Sequence, residues 1–322
     1  MNNYLSKENT NCIKGILAVL ILFHHIYQYG NFLHGSIWGG FLQIIGYLSV
    51  SAFFFFSGYG LIVSSKKEKY MKLFIRNRFM VLYIFYVAID ILYSGYFYII
   101  NGTFSAKLFL KSLVIGGVVP LGWFLQVTFL VYILWWCVFH IYRQSRKQIL
   151  LIILFLVIYS VVCIYNEIPN TYYEGVFCVP LGMLCALYGD RLHSVLSSHS
   201  CFFAIVNLIS FLASFSAWYL LPFGIGIVFR ILSTLFFSMV IVAVAYLLQE
   251  TNIINNKISR TLGIYSLEMY VTQGFMLMLT RGTKISINNG FSFVLIALVG
   301  TVMLSITIKP LYVLIRKLIA TH

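Results

Sequence analysis

Ten apolar runs, each of about the length that crosses a bilayer, follow one another along this 322-residue chain and leave little room for any other structure. They lie near residues 13–29, 42–64, 79–100, 122–142, 149–165, 174–189, 201–221, 225–248, 262–280 and 291–315, with the run at 174–189 the shortest. The stretch 106–120 is also apolar, but Lys111, Gly116, Gly117 and Pro120 interrupt it, which fits a loop, an interfacial helix or a re-entrant segment. Only 9% of the residues are charged, against about 25% in a soluble domain. The expected fold is all-α: a polytopic integral membrane protein of about ten transmembrane helices, in one integral-membrane domain over residues 1–322. The first run lacks a small-residue cleavage site and is expected to be retained.

Charge orients these helices. An even number of spans places both ends on one side, and seventeen lysines and arginines then fall on that side. They are Lys7, Lys14, the six between Lys66 and Arg78, Arg143, Arg146, Lys147, Arg191, Lys257, Arg260, Lys309, Arg316 and Lys317. The other side receives Lys107, Lys111, Arg281 and Lys284, and Arg230 stays inside a span. The loop around Glu167 and Glu174 on that other side holds no basic residue. The asymmetry marks the terminal side as cytoplasmic and accounts for the net charge of +14 without a nucleic-acid partner. The six cysteines lie in or beside apolar runs without metal-site spacing, so they are read as reduced thiols. Cys163 and Cys178 flank one short loop and form the one pair to consider on an oxidising side. The sequence sets no oligomeric state.

The apolar runs carry a few ionisable or amide groups, which are expensive in lipid and are therefore candidates for function. Lys14 and His25 are eleven residues apart, which on a helix returns nearly to the same face roughly 16 Å further along. An imidazole is the side chain best suited to moving protons near neutral pH. His24 points about 100° away from His25 and is read as orienting a neighbouring helix. Two adjacent histidines with no carboxylate or cysteine nearby do not make a metal motif. Ser266, Tyr270 and Gln273 share one helical face, and Glu268 is offset from it by about 160°, so Glu268 and Tyr270 are expected to meet different neighbours. Arg76 and Arg78 close a basic segment that serves either as a cytoplasmic anchor or for holding phosphate. Trp38, Trp123 and Trp218, near span ends, read as interface anchors.

Five stretches together resemble the acyltransferase 3 family of bacterial integral-membrane O-acyltransferases. Lys14 and His25 are similar to its Arg/Lys-X10-His motif on the first helix. The stretch from Gly46 to Gly60, with Phe53-Phe54 two residues before Ser57-Gly58-Tyr59, is similar to the FF-x-x-SG-[FY] element of its second helix. Arg76-Asn77-Arg78 resembles the basic entry to its third helix, and Gly122-Trp123-Phe124-Leu125 a later helix start. Leu262-Gly263 through Tyr270 resembles its late helix. The family implies a ten-helix core that takes an acyl group, often acetyl, from cytoplasmic acyl-CoA to a hydroxyl of a glycan or another envelope molecule. It implies a multi-pass protein of the bacterial cytoplasmic membrane. Some members carry a fused extracytoplasmic esterase-like domain, which is not expected here. Two departures stand out. Gln273 occupies the place where many members have a histidine, and no proline appears early in the third helix, where Phe85 lies.

The site residues expected on this basis are His25 and Glu268 for catalysis, and Lys14, Arg76 and Arg78 for the phosphates of acyl-CoA. His24, Ser57, Trp123, Tyr270 and Gln273 are expected on the acceptor side, with no metal and acyl-CoA as co-substrate. Ser57-Gly58 serves equally well as a close approach to the acyl group or as tight helix packing. Two alternatives stay open: a succinyl transferase on the same fold, and a transporter or flippase of a glycan intermediate.

Overall fold

The computed structural model of the chain describes residues 3–30, 33, 35–102, 104–114, 117–142, 145–282 and 286–320. Gly116, Arg143 and Lys284 lie outside them. The described residues form helices and no strand. In chain order these are α1 (Lys7–Tyr29), α2 (Ile37–Ser65), α3 (Tyr70–Phe74), a π-helical turn (Ile75–Met80), α4 (Val81–Asn101), α5 (Ala106–Ser112) and α6 (Trp123–Ile141). They continue with α7 (Ser145–Tyr165), α8 (Cys178–Leu187), α9 (Gly189–Leu220), α10 (Phe223–Leu247), α11 (Lys257–Ile264), α12 (Ser266–Thr280) and α13 (Gly290–Ala320).

A helix stands at each of the ten expected places. Among the described residues, eight helical segments of 19 to 32 residues are long and apolar enough to cross a membrane, so the chain is a polytopic all-α membrane protein. The remaining two places are filled by shorter helices, α8 with ten residues and α12 with 15. At 1.5 Å per residue, α8 covers only about half of a bilayer core. The stretch 106–120 contains the short α5, capped by the Ser105 hydroxyl. This segment is tied to α4, because Tyr86 donates to the Ser112 carbonyl (3.0 Å) and Tyr83 to that of Leu113 (3.2 Å). Where the proline is missing, the chain passes through the π-helical turn into α4, and Phe85 is fully buried against the Tyr312 ring.

Contacts gather the chain into two units. The first comprises Met1–Leu17, Tyr47–Tyr70 and Cys137–Ile264. Small residues set its helix spacings. A Cβ at Gly58 of α2 would overlap the Val179 carbonyl of α8, and one at Gly182 of α8 would overlap the Phe55 carbonyl of α2. Gly15 of α1 and Gly263 of α11 interlock in the same way, against Ser259 and Asn11. Backbones approach this closely in membranes where no side chain intervenes. Arg230 of α10 pairs with Glu174, whose own loop holds no basic residue. Its guanidinium lies 3.9 Å from the Trp218 ring and 4.3 Å from the Tyr47 ring. Trp218, placed near a span end, thus also covers a buried cation. All six cysteines are free. Cys163 packs with Tyr173 and Ile227, whereas Cys178 faces Thr234 and Ser238, so the pair considered from sequence is not formed.

The second unit comprises Ala18–Gly46, Met71–Trp136 and Tyr265–His322. Within it, α12 packs along α13, and α4 lies against α13. Tyr93 of α4 donates to the Val271 carbonyl of α12 (3.0 Å). Asp90, on the same helix and fully buried, accepts from the Ser112 hydroxyl.

Gly58 and Gly60 sit two residues apart in α2, yet a Cβ at Gly60 meets nothing within 4 Å. Gly58→Ala is expected to destabilise the protein by about 1–3 kcal/mol through overpacking. Gly60→Ala is expected to stabilise it by about 0.5–1 kcal/mol, because alanine loses less backbone entropy in a helix. Thermal unfolding of the two variants in detergent checks the opposite signs.

Candidate functional site

His25 lies four residues before the end of α1 and is 8% exposed. Its Nδ1 is 2.9 Å from Oε1 of Gln28, one turn on. The neighbouring His24 turns elsewhere, as the helical period requires: its Nδ1 lies 2.7 Å from the Leu42 carbonyl of α2. A carbonyl only accepts, so Nδ1 of His24 carries the proton and donates. The His24 ring fills the space a Cβ at Gly46 would need, which is why glycine stands there. The two imidazoles meet edge to face with centroids 4.9 Å apart. His24 therefore fastens α1 to α2, while the partner of His25 Nδ1 is a side chain of its own helix.

Lys14 stands eleven residues earlier in the same unbroken helix. It is half-buried, with Nζ 5.6 Å from the centre of the Phe56 ring of α2. Ser57, next in α2, is also half-buried, and its neighbour Gly58 makes the close contact to α8. Of the two functions weighed for this pair, the geometry gives Gly58 helix packing.

Arg76 and Arg78 both lie in the π-helical turn, a rare local winding that recurs at functional sites. Arg76 Nε donates to the side chain of Asn77 (3.1 Å). Arg78 Nη2 donates to the Tyr132 hydroxyl (3.1 Å), and the guanidinium lies 5.7 Å from the centre of the same ring. A further cation of this unit, Lys309, has its Nζ 5.3 Å from the centre of the Tyr312 ring.

α12 presents its polar groups to two different neighbours, as its period requires. Glu268 is 0% exposed, and both its oxygens take hydrogen bonds from Lys309 Nζ of α13, at 3.0 and 3.2 Å. The same ammonium lies 5.6 Å from the Tyr265 ring. Tyr270 points toward α6: its hydroxyl donates to the Leu121 carbonyl and accepts from the Phe124 N–H (3.3 Å). That N–H belongs to the first turn of α6, where helices draw on outside acceptors, so the phenol caps α6 beside Trp123. Trp123 is half-buried, with its ring against Phe124. Gln273 is buried, and its amide donates back to the Tyr270 carbonyl (3.2 Å). The structure thus brings His24 to His25, and Tyr270 to Gln273 and the start of α6, while Glu268 is occupied by Lys309.

The acyltransferase domain family matches residues 8–309, nearly the whole length of the chain. No curated protein and no solved structure matches it. The chain belongs to the acyltransferase 3 family and is a multi-pass membrane acyltransferase.

Sequence reasoning missed two partners. Lys309 reads as one more cytoplasmic-side cation, although a lone carboxylate in an apolar run demands a counterion. Gln28 lies three residues after His25, a spacing that makes neighbours on any helix.

Removing one member of a buried ion pair strands the other. Lys309→Met is expected to lower stability by about 3–5 kcal/mol, and adding Glu268→Gln to it is expected to restore most of that loss. Unfolding of the two single variants and the double variant in detergent measures the coupling.

Proposed function

We propose that the chain moves an acetyl group from cytoplasmic acetyl-CoA to a hydroxyl of a surface polysaccharide or exopolysaccharide, or of its lipid-linked precursor. It does so in the cytoplasmic membrane of a bacterial cell, with both termini inside. The observation that carries this reading is a buried His25 on the helix that also bears Lys14, in a chain of the acyltransferase 3 family.

Acyl transfer needs a base for the acceptor hydroxyl. His25 takes that proton as the hydroxyl oxygen attacks the thioester carbonyl. The carbon–sulfur bond then breaks, and the CoA sulfur leaves with the proton returned by the imidazole. The products are the acyl ester and free CoA. Lys14, Arg76 and Arg78 hold phosphate groups of the donor; Arg suits phosphate through its fork of N–H groups. The rise of roughly 16 Å from Lys14 to His25 along α1 is comparable to an extended pantetheine arm. Trp123 offers a ring face to the acceptor, with Ser57 a polar contact. His24, Tyr270 and Gln273 act by holding α1 and the start of α6 in place, because their polar atoms are committed to backbone partners. Glu268 acts likewise through Lys309. With Gln273 unable to serve as a base, proton transfer rests on His25 alone.

The ester-linked acyl content of surface glycans, read by NMR before and after mild alkali, tests this reading. A deletion strain carrying the wild-type gene is expected to show an alkali-labile acetyl signal. One carrying His25→Ala at matched protein level is expected to show none. A succinyl signal would reassign the donor, and equal signals in both strains would remove His25 from the chemistry.

A further inference from the structure

We propose that Gln28 is a positioning residue that holds His25 with its proton on Nδ1, leaving Nε2 as the basic atom. The inference rests on His25 being the base of acyl transfer. A neutral imidazole carries one N–H, and the hydrogen bond made by one nitrogen decides what the other can do. Here Nδ1 lies 2.9 Å from the amide oxygen of Gln28, an atom that only accepts. The proton therefore belongs on Nδ1, and the lone pair on Nε2. The bond also fixes the ring plane, because Gln28 sits on the same rigid helix one turn away.

The neighbouring imidazole cannot do this work. His24 commits its own Nδ1–H to the Leu42 carbonyl, and it meets His25 edge to face. Gln28 is exposed at its position near the end of α1, so nothing in the packing of the helix demands a glutamine there. The contact to His25 explains why an amide stands there.

Three substitutions separate this role from a structural one. Methionine keeps the length of Gln28 but offers only a weak acceptor, whereas glutamate keeps an acceptor and cannot donate. Inverted membrane vesicles carrying the full chain are supplied with radiolabelled acetyl-CoA, and alkali-labile label retained in the membrane fraction is counted between pH 7 and 9. Gln28→Met is expected to lower the maximal rate about tenfold while leaving the half-saturating acetyl-CoA concentration unchanged. Gln28→Glu is expected to stay within about threefold of wild type at the alkaline end of that range. Gln28→Met at the wild-type rate, with His25→Ala inactive, overturns the positioning role alone. Gln28→Glu as slow as Gln28→Met would mean that Gln28 donates to Nδ1, and overturns the assigned tautomer. His25→Ala at the wild-type rate would instead overturn the reading on which the inference stands.

Discussion

A charge placed among apolar helices must find a partner inside the protein, and each unit of this chain is organised around such a pair. In the first, Arg230 is held by Glu174 and by the faces of Trp218 and Tyr47. In the second, Lys309 is held by Glu268 and lies near Tyr265 and Tyr312. The partners lie far apart in sequence, so each pair ties together segments that the apolar pattern alone would leave free to slide. The aromatic faces supply what a lone carboxylate cannot, a second layer of favourable electrostatics without further charge. Lipid gives helices little hydrophobic reason to associate, so such polar contacts and small-residue packing carry much of the specificity.

Within that frame the adjacent histidines divide their labour by geometry. One residue is about 100° of helical rotation. That rotation sends His24 to the Leu42 carbonyl and leaves His25 with a side-chain partner on its own helix. Gly46 completes the arrangement by leaving room for the His24 ring. One imidazole is committed to a backbone carbonyl of the next helix, and the other to a side chain of its own.

Much of the fold was legible because hydropathy is a local property. The helices at all ten apolar runs, and the start of α6 at Trp123, follow from the residues within each run. The divergence of Glu268 and Tyr270 followed from the helical period alone. What stayed hidden depends on residues distant in sequence. Nothing in the run around Glu268 points to Lys309, 41 residues on, which donates to both its oxygens. Gly58 reads as either a close approach to the acyl group or helix packing, and Val179, far along the chain, is what packs against it. Arg230 reads only as a cation inside a span, because its partner Glu174 lies 56 residues earlier, in a different segment. Gln28 was within reach of pattern reasoning, but an amide near a helix end draws no attention until the ring beside it is placed.

The central claim is that His25 performs acyl transfer and does not merely support the fold or hold the donor. Acetyl-CoA binding to purified His25→Ala, measured beside its rate of CoA release with membrane extract as the source of acceptor, separates these roles. The account predicts wild-type affinity for acetyl-CoA, a wild-type melting temperature and no CoA release above background. CoA release at the wild-type rate would contradict it.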